Sequence, residues 1–456
     1  MPDTRFVKQL IQPLPAVHAE ELEHVGSGLR FMESPTRYLA DLRQRHGDTF
    51  LLDVFGYHLL MTFSAQGLSS LYAFEEADAS FHAATFDLIR FKTPIEILYH
   101  VDVRLFYRLL QHKHMPDFLA VIDQVVELEL ARWEVGSELE LFDAIRTLEQ
   151  RVGFGLWIGQ EAATDGRWQA LKLHFDVLDQ ESAFVNPAET LNTIKSDKAR
   201  EKEAAAALYE ILRDILAERA GGGDGPFSAA DFLGEHFAGE EHFEQKVFNN
   251  IINANQGFLS NLYAAIAWVL VWLLVKPEVL ARVEAEITDV RARFGSQFPC
   301  SVEALNELIY LEQVMMEAVR LGQRSLTLRK VMRTAQFDDG ERSYQVSPGL
   351  YIATMLSVTN ASTEDLARFD PDNYARNRWA NRIATPGPET ISTFGHGRHA
   401  CPAQRFSLHM VKIVITRVLD RFRLEPAWTV MPTPSDRQMG GVARPGQPAC
   451  VRVLSR

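Results

Sequence analysis

The run Phe394-Gly395-His396-Gly397-Arg398-His399-Ala400-Cys401-Pro402 holds the residues best suited to chemistry in this chain. One cysteine lies in a tight glycine-rich loop among cationic side chains, and the amphipathic segment 406–415 follows at once. A thiolate binds a metal only when its pKa is lowered, and loop N–H groups, a following helix N-terminus and nearby positive charge all lower it. A single cysteine with no partner cysteine in a motif suits a haem iron. The other two cysteines, Cys300 and Cys450, are remote from it; no CxxC pair, zinc spacing or disulfide framework is present, which predicts a reducing compartment and a cytoplasmic protein.

Bulk properties bound the remaining choices. The chain has 456 residues, 46% of them hydrophobic, enough for a large core. A formal charge of −13 argues against nucleic-acid binding through a basic surface. The first 26 residues show neither a basic start with an apolar stretch nor a membrane anchor. The longest apolar run, 262–275, is shorter than the ~20 residues that span a bilayer. It reads as a buried core helix, so no membrane anchor is expected.

The elements that must position the cysteine are mostly helical. Periodicity predicts helices over 34–45, 103–110, 115–135, 141–156 and 195–220, one very long helix over 243–275, and others from Pro277 to Phe294 and over 311–321. Two short strands flank Gly56, and β segments with turns at Asp339-Gly340 and Pro348-Gly349 fill 337–351. Ser228 and Ser301 are expected to cap helices. The glycine-rich stretch 220–226 lacks a following Lys-Ser/Thr and is a loop rather than a phosphate cradle. His112-Lys113-His114 has no carboxylate partner in sequence and reads as a solvated turn. The expected class is mainly α with a small β portion, in one domain over 1–456.

The cysteine run resembles the haem loop of cytochromes P450, Phe-x-x-Gly-x-Arg-x-Cys-x-Gly. Phe394, Gly397 and Cys401 fit; His399 stands for the usual Arg and Ala403 for the usual Gly. The likeness extends upstream to Glu317-Ala318-Val319-Arg320, a pair that shares a helix face, and to a meander at 369–379 in which Arg378 is the third partner and Trp379 the expected aromatic. It implies the P450 fold, haem b held by Cys401, and propionates gripped by His399 and Arg329 with Arg104 and Arg108 opposite. It also implies that the region 91–99 roofs a pocket for a hydrophobic small molecule. Electrons would come from a separate ferredoxin- or flavodoxin-type reductase, since the chain carries no such segment. The order of motifs and the C-terminal 447–452 resemble the sterol 14-demethylase and prostacyclin synthase branch.

On the helix expected to face dioxygen, the family usually places an acid followed by Thr. Here Ser260 and Asn261 fall in those slots, with Gly257 one turn earlier leaving room beside the haem. Asn donates and accepts hydrogen bonds but is no useful acid or base. Three readings stay open: a monooxygenase in which Ser260, Asn261, water or the substrate's own hydroxyl delivers protons; an isomerase or dehydratase acting on a hydroperoxide or oxygenated lipid without O2 or reductase, as prostacyclin synthase and allene oxide synthase do; and a non-catalytic haem sensor.

Overall fold

The computed structural model describes residues 17–18, 25–110, 112–179, 192–221, 226–375 and 387–456. The chain divides into two compact units. The first comprises residues up to Ile89, Val319–Cys401 and Ser435–Ala443; the second comprises Arg90–Ala318, Pro402–Pro434 and Arg444–Arg456.

The first unit is built on a six-stranded mixed sheet in the order Val17–His18, Thr49–Val54, Tyr57–Thr62, Tyr351–Met355, Leu326–Val331, Ala79–Ser80. The hairpin that opens it turns on Phe55 and Gly56, both with positive φ (53° and 81°). Two successive residues of that kind make the turn whose twist matches its strands. The sheet's apolar faces carry two clusters, one around Leu39, Leu42, Leu52 and Met61, the other around Leu60, Phe337 and Ile352. A two-stranded ribbon, Ala335–Asp338 with Ser343–Val346, matches the expected turn at Asp339-Gly340. The strand Leu326–Val331, hydrogen-bonded to Tyr351–Met355 and to Ala79–Ser80, was not expected from the sequence; its burial does not follow a strict two-residue alternation.

The second unit is helical. Met115–Leu130, Leu141–Trp157, Ala199–Ala220 and Pro277–Phe294 form where periodicity places them. Pro277 occupies the first turn of its helix, and Gly295, at φ 57°, ends it. Ser228 and Asp231 form a capping box, and Ser301 Oγ accepts the Ala304 N–H at 3.2 Å. A small sheet joins Phe422–Pro426, Cys450–Ser455 and Glu138–Glu140.

One expectation changes. The long helical pattern is interrupted at Ser260 and Asn261, giving Phe243–Leu259 and then Leu262–Val275. Asn261, with φ −130°, leaves helical geometry and becomes the cap of the second half. Asn competes with the helix by bonding locally through its own side chain, so a break there is where one belongs. The combined span Phe243–Val275 is long and apolar enough to cross a membrane, but 67% of its apolar window is buried inside the molecule, as in a core helix.

Candidate functional site

Cys401 closes a loop whose shape depends on its glycines. Gly395 and Gly397 adopt φ of 74° and 62°, conformations costly for other residues. Gly397–His399 forms one short turn, and the Cys401 N–H then donates to Phe394 O at 2.7 Å. The helix Gln404–Arg421 starts three residues after the cysteine in the chain. His396 Nε2 donates to Ile391 O at 2.9 Å and braces the loop from its other end.

Arg320, in the same unit, is fully buried at the end of the helix Ile309–Gly322; Glu317, earlier on that helix and in the second unit, is fully buried too. The Arg320 guanidinium donates to the carbonyls of Asn360, Leu366 (2.6 Å) and Arg368 (3.3 Å). Asn360 carries the linkage onward: its Nδ2 donates to Arg320 O (3.1 Å) and Ser392 O (2.8 Å), and its Oδ1 accepts the Ser392 N–H (2.8 Å). Gln323 Nε2 donates to Thr393 O at 3.1 Å. The helix that bears Arg320 is thus strapped to the stretch of chain leading into Phe394. Arg378 and Trp379 lie outside the described residues.

Arg329 is the electrostatic anomaly of this unit. It is 1% exposed; its NH1 donates to Leu328 O at 3.2 Å, and its Nε and NH2 have no hydrogen-bond partner. The guanidinium stacks over Phe81 at 5.0 Å, and burial pushes its pKa down. Tyr72, with Ser392 and Thr327 at its hydroxyl, is a buried neighbour of Arg329, and burial raises its pKa. A buried cation with two open donors costs several kcal/mol unless an anion completes it.

His399 sits at the edge of this cluster. Its ring packs on Phe81 (centroids 4.9 Å apart), and Nε2 lies 2.7 Å from Glu76 Oε1, close as charges but out of line for a hydrogen bond. Burial, then the charge of Arg329, lowers the His399 pKa. Burial alone would raise the Glu76 carboxyl, but Ser80 Oγ (2.6 Å), Phe81 N–H (3.0 Å) and the His82 imidazole (3.1 Å) outweigh it and bring Glu76 down to about 2.

In the second unit, the break in the long helix has its own bonds. Ser260 Oγ donates to Gly257 O at 3.1 Å and accepts from Asn261 Nδ2 at 2.8 Å. Gly257 is exposed, and a Cβ placed on it meets nothing within 4 Å. One residue on, Phe258 turns inward, its ring 6.0 Å from Phe406 on the helix that follows the cysteine. The break therefore presents a hydroxyl, an amide and open space on one side, and aromatic core on the other. Arg104 is directed elsewhere: it makes a bidentate pair with Asp102, at 2.9 Å for both bonds, with its side chain 87% exposed. Arg108 lies over the Phe232 ring at 5.6 Å.

A family model for cytochrome P450 matches residues 260–453, the stretch that contains the helix break, Arg329 and the cysteine loop. Sterol 14alpha-demethylase of Mycolicibacterium vanbaalenii is 23% identical over 91% of this chain and 92% of its own length. The family model and the relatives agree that the chain is similar to the cytochromes P450. Other relatives include abscisic acid 8'-hydroxylase 2 of Oryza sativa subsp. indica (22% identical, 88% of this chain, 79% of the relative) and cytochrome P450 7B1 of Mus musculus (20%, 89% and 83%). The structure of a retinoic acid-bound cyanobacterial CYP120A1 superposes with a TM-score of 0.76 at 18% identity, covering 97% of this chain and 99% of that one, so the two share a fold.

This likeness supports an oxidoreductase and implies a haem cofactor. The residues present fit that cofactor. A haem brings carboxylates that need buried donors, and the open nitrogens of Arg329 with the hydroxyls of Tyr72 and Ser392 are such donors. Tyr72 and Ser392 were not expected from the sequence. A tyrosine and a serine hundreds of residues apart carry no spacing signal, and only the fold brings them together.

Proposed function

We propose that this protein is a haem-thiolate P450 monooxygenase that oxidises a hydrophobic small molecule with electrons from a separate redox partner of ferredoxin or flavodoxin type. The cofactor in this reading is haem b, whose iron Cys401 Sγ would hold. The observation that carries it is Arg329: a buried cation in the unit of the cysteine loop whose Nε and NH2 are unanswered, a donor pair suited to a propionate. Tyr72 and Ser392 complete that grip, and His399 borders it.

Bound there, a haem held by a thiolate would supply dioxygen chemistry. The chain's own part is to place substrate and protons. Ser260 is the one residue of the Gly257–Ser260–Asn261 set with a transferable hydroxyl proton, and Asn261 Nδ2 fixes the direction of that hydroxyl by donating to its oxygen. Gly257 leaves space for the substrate edge or for a relay water. Several relatives carry hydroxylase or demethylase names, which supports oxidation over rearrangement.

The test is turnover under two regimes. With a reductase system, NAD(P)H and labelled dioxygen, the account expects one labelled oxygen atom in the product. Efficient conversion of a lipid hydroperoxide with neither reductase nor NAD(P)H, and no reductase-dependent product, would replace this reading with an isomerase or dehydratase.

A further inference from the structure

Within the first unit, the helix Phe81–Ile89 touches two successive residues of the strand Leu326–Val331. Arg329 and Lys330 are neighbours on that strand, so their side chains leave it on opposite faces. The helix reaches both. Phe81, its first residue, puts its ring 5.0 Å from the Arg329 guanidinium. Asp87, further along, takes Lys330 Nζ on Oδ2 at 2.6 Å. The same oxygen accepts Tyr351 Oη at 2.6 Å. Tyr351 stands opposite Lys330 across the antiparallel pair, so cation, phenol and carboxylate meet on one face of the sheet.

The start of the helix is fixed as firmly. It follows directly from the edge strand Ala79–Ser80, which pairs with Val331 and Lys330. Ser80 Oγ accepts the Ala83 N–H (2.9 Å) and donates to Glu76 Oε2 (2.6 Å), and the Phe81 N–H donates to Glu76 Oε1 (3.0 Å). Between the two ends, Ala84 packs in the cluster that also holds Leu328 and Tyr351. Rotating the helix, or sliding it along the strand, would break one of these bonds.

An apolar residue at position 87 would hold the helix at less cost. Asp87 is buried, and a buried carboxylate offsets its desolvation only through short, directed bonds. Directed bonds fix a position that apolar contacts leave free to shift. The position fixed here is that of the Phe81 ring, which faces both Arg329 and His399. Arg329 needs such support. With Nε and NH2 unanswered in a buried setting, its guanidinium is stabilised by any turn toward water or a carbonyl unless something holds it. The aromatic face attracts the cation without using its N–H groups.

We propose that Asp87 is a positioning residue: with Lys330 and Tyr351 it latches the helix Phe81–Ile89, so that Phe81 holds the Arg329 guanidinium in place for a haem propionate before the haem arrives. The proposal rests on the haem-binding reading of Arg329. It makes part of the site's affinity a matter of prior order, because a donor already in place costs little ordering when its anion binds.

A double-mutant cycle tests the latch, read as the rate at which haem passes to an excess of a haem-scavenging globin. Asp87→Asn keeps the shape and a lone pair for Tyr351 but removes the charge that holds Lys330. It should release haem roughly five-fold faster than wild type. In the Arg329→Met background the same change should add less than about two-fold, because no guanidinium is left to place. Tyr351→Phe removes one hydroxyl and should show the same coupling on a smaller scale, which keeps the test open if Asp87→Asn folds poorly. Imidazole, an azole that binds haem iron, should bind these variants as it binds wild type. Equal factors with and without Arg329, a wild-type release rate in both single variants of the latch, or a parallel loss of imidazole affinity would overturn the latch. A wild-type protein that takes up no haem would overturn the haem reading and the latch with it, whereas a wild type that holds haem while the variants act additively would overturn the latch alone.

Discussion

At the scale of residues, Arg329 and Glu76 carry the most testable charge. Arg329 has two open nitrogens in a buried setting. Arg329→Met keeps the apolar stem over Phe81 and removes the donors. Charge-assisted bonds of this kind are worth about 1.5–3 kcal/mol each. The variant should therefore release haem to an excess of a haem-scavenging globin at least ten-fold faster, by about the lower of those values, while its helical signal is unchanged; an equal release rate would remove Arg329 from the propionate site. Glu76 gives a pH dependence. Its folded carboxyl is depressed from 4.5 to about 2, so the unfolded chain binds the extra proton between those values. The stability it contributes is present above 4.5 and drains as pH falls toward 2. Glu76→Gln should lower Tm at neutral pH, and the gap from wild type should narrow as pH drops below 4.5; a gap constant with pH would contradict the assignment. Cys401, Phe394, Gly397 and Arg329 could be singled out as candidates in the sequence because their spacing is local or measured from a helix motif. Asn360, Tyr72 and Ser392 were not: an amide that bonds backbone carbonyls across 32 and 40 residues leaves no periodic trace.

At the scale of elements, the break at Ser260–Asn261 and the strap through Asn360 decide what the helices do. The apolar pattern on both sides of the break is continuous, so periodicity reads one helix, and only the local bonding of Ser260 and Asn261 divides it. Gly257 lies just before the break in a helical conformation with open space around its Cα. Gly257→Ala should hold or raise Tm, since alanine is favoured over glycine in a helix by about 1 kcal/mol, and should weaken binding of bulky distal ligands. A fall in Tm of several degrees would show that the space is filled. Asn360→Ala removes three hydrogen bonds between buried groups. It should cost about 2–4 kcal/mol in urea unfolding and broaden the haem spectrum by loosening the chain before Phe394. A loss below about 0.5 kcal/mol, the scale of an ordinary surface change, would mean that Asn360 is no strap.

At the scale of the whole molecule, helical periodicity, the hairpin at Gly56 and the ribbon at Asp339-Gly340 made a mainly helical chain with a small β portion legible in advance. The two larger sheets were less so. Leu326–Val331 has partners on both edges, and Glu138–Glu140 is only three residues long, too short for alternation to register. The chain's charge of −13 gives its encounter with a redox partner a salt dependence: if that partner presents a basic face, reductase-supported turnover should fall as ionic strength rises, while azole binding should not. The haem-release and turnover expectations depend on a haem held by the Cys401 thiolate. The direct measurement is the carbon-monoxide difference spectrum of the reduced protein, taken for wild type and for Cys401→Ser at matched haem content. The account predicts the red-shifted Soret band of a thiolate-ligated haem in the wild type and its absence in the variant; a wild-type band at the position of a histidine-ligated haem, or a thiolate band that survives Cys401→Ser, would contradict it.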